Sequence, residues 1–152
     1  MMNDSAVAIH LLWCRLPQIS RFTFQAGNGE GSQTDWNGSC EGEVLVAPWQ
    51  DGWSFDERGH YLTPRGQRIA MHNRYGWQRS EHGIVLYHLR HTEPVHLLEL
   101  RPVSPQRWQT DEPHLCGADH YQAVLEVVGS GFDMQWQIRG PRKNERLAYR
   151  YR

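Results

Sequence analysis

"FDMQWQIR", Phe132–Arg139, is the stretch that decides the fold. Phe132, Met134, Trp136 and Ile138 alternate with Asp133, Gln135, Gln137 and Arg139, so an extended chain here turns one face to a core and the other to water. On its N-terminal side Tyr121, Ala123, Leu125 and Val127 alternate in the same way with Gln122, Val124, Glu126 and Val128. Between the two runs Gly129, Ser130 and Gly131 read as a three-residue hairpin loop. On its C-terminal side the turn-forming "GPRKN" leads into Leu147, Tyr149 and Tyr151, alternating with Arg146, Ala148, Arg150 and Arg152. Three consecutive antiparallel strands follow from the period alone.

Farther upstream "RFTFQ", "EGEVLVA", "GWSFDE", "RIAMHNRYGW", "IVLYHLR" and "VHLLELR" are more short runs, punctuated by Gly, Pro and Asp-Gly. Roughly eight or nine strands joined in order leave two exposed edges unless the sheet closes on itself. The expected fold is therefore all-β, an up-and-down antiparallel β-barrel. One element differs: Ala6, Ile9, Leu12, Trp13 and Leu16 recur at helical spacing, with Ser5 as the expected N-cap and Pro17 as the stop. The expected organisation is a single domain over residues 1–152, with a short helix near 6–16 and strands from 21 to 151. Gln25–Ser39, rich in glycine, and Arg101–Ala118, with Pro102, Pro105 and Pro113, read as long connections without strands.

A chain of 152 residues can bury one sizeable core without staples. Its 16 Lys and Arg against 17 Asp and Glu give a formal charge of -1, a balance that provides no overall attraction for nucleic acid or an anionic membrane. Seven Trp, six Tyr and four Phe suit strands, deep cores and ligand pockets. Cys14, Cys40 and Cys116 are odd in number and far apart, which points to reduced thiols rather than a disulfide framework. The opening "MMNDSAVAIHLLWC" carries Asp4 where a signal peptide has basic residues, and no apolar run approaches a membrane span. A cytoplasmic location is expected, with no nucleic-acid or membrane partner.

Chemistry concentrates in "PHLCGADHY", Pro113–Tyr121, and "RGPRKNE", Arg139–Glu145. His114, Cys116 and His120 with Asp119 offer zinc donors, but their spacing is neither that of a finger nor of an HExxH helix. The plainer reading is a loop entering a strand, with Cys116 packed as a small hydrophobe and no metal or other cofactor. Cys116 with His114 as base is a nucleophile arrangement that no further motif supports. Arg139, Arg142, Lys143, Arg146, Arg150 and Arg152 face only Glu145 as countercharge and could hold a phosphate or carboxylate. Lys143 is the only lysine in the chain. His88, His91 and His96 could ligate haem non-covalently, although exposed strand histidines are the expected outcome.

Taken together, "HLCGADHY", the strand at Trp136, "GPRKN" and the terminal "YRYR" resemble the signature of a bacterial family of uncharacterised domains with a lipocalin-like, calycin-type barrel. The matching positions are His114, Cys116, Asp119 and Tyr121, then Gly140, Pro141, Arg142 and Lys143. Upstream, Phe55, Glu57 and Gly59 of "FDERG" and Arg74, Tyr75 and Trp77 of "RYGW" extend the similarity over most of the chain. Asn144 and Glu145 stand where the family usually has an Asp-Tyr pair. The resemblance implies a fold and no activity.

The resulting expectation is a barrel that binds an apolar or aromatic small molecule bearing an acidic group. Its candidate contacts are Arg74, Tyr75, Trp77, Tyr121 and Trp136, with His114, Cys116, Asp119, Arg142 and Lys143 at the rim. Three alternatives stand beside it. One is an enzyme built on His114, Cys116 and Asp119, with Arg142 and Lys143 steadying an anionic substrate. Another is a filled structural barrel in which Asp119 pairs with Arg142 or Lys143. The third is an interaction module, such as a homodimer joined through exposed aromatics.

Overall fold

The computed structural model describes residues 3–33, 37–90, 92–110 and 114–152, with backbone only at His114 and Cys116. Helix α1 runs Asp4–Arg15 and passes into a 3-10 turn, Leu16–Gln18, which carries Pro17 where its missing N–H costs nothing. The N-cap is Asn3 rather than Ser5: the Asn3 side chain accepts from the Ala6 N–H at 2.8 Å. Asp4 then occupies the first turn, where a negative charge suits the helix dipole.

Eleven strands follow: β1 Arg21–Asn28, β2 Gly38–Trp49, β3 Gly52–Leu62, β4 Arg68–Arg79, β5 Ile84–His88, β6 Val95–Pro102, β7 Arg107–Gln109, β8 His114–Cys116, β9 Asp119–Val128, β10 Gly131–Arg139 and β11 Asn144–Tyr151. All ladders are antiparallel, and β1 pairs with both β2 and β11, so ten strands close into a barrel. Strand β8 is not a stave of its own. It pairs with β9 at 119–121, on the edge that β7 takes farther along at 124–126. The expected eight or nine strands miss β7 and β8, each three residues long inside the proline-bearing connection, too short to show a period.

The C-terminal alternation holds residue by residue. Phe132, Met134, Trp136 and Ile138 on β10 are buried, as are Tyr149 and Tyr151 on β11. The β9–β10 loop is a two-residue turn, since Gly131 already pairs with Val128. Gly129 takes φ +52° while Ser130 does not take a positive φ, as a II′ hairpin turn requires.

The helix closes one end. Ala8, Leu12 and Leu16 are fully buried against the barrel core, the Arg15 guanidinium donates to the Gly129 and Gly131 carbonyls at 2.5 and 3.0 Å, and Trp13 carries Arg79 5.1 Å over its ring. At the opposite rim, Gly29 donates to the Asn144 carbonyl at 2.6 Å and Gln33 to the Arg142 carbonyl at 2.9 Å. The start of the glycine-rich connection is thereby tied to the "GPRKN" turn.

Gly42 and Gly59 lie opposite each other where β2 crosses β3. A Cβ at Gly42 would strike the Arg58 carbonyl and come within 2.6 Å of the Gly59 Cα. Gly42→Val should therefore cost about 1–3 kcal/mol through overpacking. Gly27→Ala, with nothing within 4 Å of its added Cβ, should be close to neutral. Denaturant midpoints of the two variants check this, and equal midpoints would show that the strands can part at Gly42.

Candidate functional site

Strand β3 sends Trp53, Phe55, Glu57 and Tyr61 inward, so its alternation puts a carboxyl among aromatic rings. Glu57 is fully buried. The Tyr151 hydroxyl reaches it from β11, with β1 and β2 lying between in the sheet order, and donates to Oε2 at 2.6 Å. Burial pushes the Glu57 carboxyl up to about 8, and the Tyr151 bond, which opposes the shift, is too weak to cancel it; the Asp56 charge adds to the rise. At neutral pH the carboxyl is therefore mostly protonated, and its Oε1 has no hydrogen-bond partner within the protein.

Tyrosines surround this acid. Tyr75 on β4 and Tyr149 on β11 act on each other's titration, and burial, the larger cause, raises both hydroxyls above their ordinary range. Tyr149 and Tyr151 stack at 5.4 Å, Phe132 lies 4.7 Å from Tyr151, and Phe24 lies 4.9 Å from Tyr149. The Cys40 thiol is pushed up to about 11 by burial and by the charges of Glu57 and Glu41, so it stays protonated and is a poor nucleophile.

The inward face is fully covered at the helix end and progressively less covered toward the other, which is the mouth of the barrel. Along the inward face of β4, Trp77 is 1% exposed, Tyr75, Asn73 and Met71 are half-buried, and Ile69 is 45% exposed. Strand β5 stops at His88 and pairs only with Tyr75–Arg79, so among the described residues no strand flanks 68–73 on that side. Tyr121 on β9 and Leu147 on β11, also inward, are half-buried on other walls. Glu57 lies opposite Asn73 in the register, beneath this mouth.

The structure brings part of the expected site together. Tyr75, Trp77, Tyr121 and Trp136 all face inward. Arg74 is exposed on the outer wall, and Arg142 is exposed on the turn. Lys143 pairs with Asp119 at 3.6 Å, and the Asp119 carboxylate sits against Gly140, leaving no room there for a Cβ. The two segments thus meet at the rim, with His120 opposite Arg139 and Tyr121 opposite Ile138. The side chains of His114 and Cys116 lie outside the described residues, as does His91. Among the described residues no three His, Cys, Asp or Glu side chains gather as metal ligands.

The basic cluster does not converge. Arg152 sits at the helix end, bonded to Asp133 at 2.9 Å, while Lys143 is at the rim, and Arg146 and Arg150 are exposed along the outer wall between them. Arg150 lines an outer groove of about 910 Å³ with Arg21 and Arg68, but Glu41 and Glu43 share it. Glu145, the one acid among these cations, is only 9% exposed because β11 alternation turns it inward with Leu147 and Tyr149. His88 is half-buried rather than exposed, on the inward face with Leu86 and stacked on Tyr75 at 5.3 Å; His96 meets the outer face of Tyr87 edge-on. Glu57, Tyr149 and Tyr151 were not among the expected contacts. The signal was present, since Glu57 has the same parity as Phe55 and Tyr61.

A family model described as "Family of unknown function (DUF6314)" matches residues 21–152, the whole of the strand region. No curated protein and no solved structure matches the chain. Among the described residues no helix is long and apolar enough to cross a membrane.

Two outcomes follow. The Asp119–Lys143 pair, with side chains 24% and 39% exposed, should contribute at most about 1 kcal/mol. Asp119→Ala should lower stability more than Glu81→Ala, whose side chain is 87% exposed, and Asp119→Ala with Lys143→Ala should be less than additive in thermal melts. The second outcome concerns pH. The folded state holds the Glu57 proton up to about 8, against 4.5 for an ordinary glutamate, so unfolding releases a proton between those values. Stability from this group is full below pH 4.5 and falls as pH rises toward 8, by up to about 1.4 kcal/mol per unit. Glu57→Gln should remove that slope, and denaturant titrations at several pH values would expose a parent and variant that share it.

Proposed function

We propose that this chain, which belongs to the DUF6314 family of unknown function, is a binding barrel that takes a small apolar or aromatic molecule into its lumen. The observation that carries the reading is the gradient along β4, from Trp77 at 1% exposure to Ile69 at 45%, on one inward, mostly apolar face. A barrel serving only as a scaffold gains stability by covering such a face, because each buried apolar side chain contributes about 1.5–3 kcal/mol. Here the aromatic lining runs out to a mouth, and barrels of about this strand number can enclose one small ligand in the lipocalin-like manner. An acidic group on the ligand would meet Lys143 and the exposed Arg142 if it stayed at the rim. Within the lumen it would meet tyrosine hydroxyls. The free thiols of Cys14 and Cys40 fit a cytoplasmic setting.

The rim gives the enzyme reading less support: Asp119 is engaged by Lys143, and the Cys40 thiol is held protonated. The test of the binding reading is a titration with 2-naphthoate, an aromatic acid, followed by native mass spectrometry and tryptophan fluorescence. A one-to-one complex and quenching are expected. Leu147→Trp, which fills the mouth from β11, should weaken binding on the order of tenfold, whereas Leu45→Trp on the outer wall, 65% exposed, should not. A folded protein that binds neither 2-naphthoate nor an uncharged naphthalene would make the barrel a filled scaffold.

A further inference from the structure

We propose that Glu57 and Tyr151 form a recognition head on the lumen floor, selecting a ligand with a carbonyl-type oxygen over an apolar one of the same outline. The inference rests on the lumen being a ligand site. Its starting point is an imbalance in hydrogen bonding. Glu57 is fully buried, its Oε2 is occupied by the Tyr151 hydroxyl, and its Oε1 has no partner within the protein. The indole N–H groups of Trp53 and Trp77 are likewise buried and unpartnered. Aromatic rings run on from the acid toward the helix end: Tyr151 lies 5.6 Å from Phe55, Phe55 lies 5.4 Å from Trp77, and Trp77 is the cross-strand neighbour of Trp53.

The protonation state of Glu57 sets what the head can offer. The titratable groups acting on it are Tyr151 and Tyr149 of β11, Tyr75 of β4, Cys40 of β2 and its own neighbour Asp56. None is a cation, so nothing near the carboxyl stabilises its anion, and it keeps its proton. The protonated carboxyl is a buried donor without an acceptor. An alkyl or unsubstituted aromatic ligand leaves it unsatisfied, whereas a ketone, ester, amide or carboxyl oxygen accepts from it. A neutral carboxylic acid beside a phenol in an apolar site is a strong donor set for such an oxygen. No bond is made or broken in this step, and no proton leaves the protein.

The test compares 2-acetylnaphthalene with 2-ethylnaphthalene, which share an outline and differ by one carbonyl. Affinities come from fluorescence titration, and the carbonyl stretch of the bound ketone is read by infrared difference spectroscopy. The ketone should bind on the order of tenfold more tightly, with its stretch moved to lower frequency by hydrogen bonding. Tyr151→Phe and Glu57→Leu should bring the affinity ratio towards unity and return the stretch to its free value. Glu57→Gln, which keeps an N–H donor, should retain part of both. Equal affinities in the parent, an unshifted stretch, or a ratio unchanged in Glu57→Leu would overturn the head while leaving the lumen reading intact. If Glu57→Leu does not fold, the stretch in the parent and in Tyr151→Phe decides alone. Binding of neither compound by the folded parent would defeat the lumen reading, and this inference with it.

Discussion

Everything in this molecule depends on the closure of β1 against β11. The ladder runs from Phe22 opposite Tyr151 to Asn28 opposite Glu145, and it joins the first strand of the chain to the last. Without it the sheet would carry two long edges whose N–H and C=O groups had only water or another chain to bond. With it, the inward faces of ten strands enclose one space, and side chains distant in sequence come into contact. The Tyr151–Glu57 bond exists only because closure puts β11 three strands from β3, across β1 and β2. Placing a carboxyl there costs desolvation, which the protein accommodates by keeping the acid neutral.

What the sequence revealed follows from the physics of each signal. Period-two alternation is local, so Phe132–Ile138 and Leu147–Tyr151 could be placed on a buried face without knowing what they face. The hairpin register followed nearly as directly, because a tight turn fixes it; reading a three-residue loop where Gly129–Ser130 makes a two-residue turn shifts no side chain in or out. Strands β7 and β8 were illegible because three residues carry no period, and their pairing is decided by β9. The N-cap was missed by two residues, since Asn3 and Ser5 are both good caps and only packing of Ala8 and Leu12 chooses between them.

The candidate site was legible in its inward aromatics and at the rim, where hairpin geometry brings Asp119 to Lys143. It was not legible in its charges. A run of arginines looks like a cluster in one dimension, but an extended strand spreads it along about 3.3 Å per residue and sends alternate members to one side. The same rule, applied to Glu57 and Glu145, places two acids inside. Composition encourages the assumption that acids are solvated, and parity overrides it at both positions.

Strand β5 ends at His88, and among the described residues no strand pairs with β4 on that side over Arg68–Asn73. That backbone is an edge in a fold whose closure otherwise removes edges, and it bears the charged or ionisable Arg68 and His72 on its exposed side chains, the residues that discourage strand addition. The same gap is what uncovers Ile69 and Met71 on the inner face. Any chain that paired there would also wall off the mouth. The uncovering of that inner face and the risk of edge-to-edge pairing therefore arise from one short segment of main chain, and Arg68 stands guard at both.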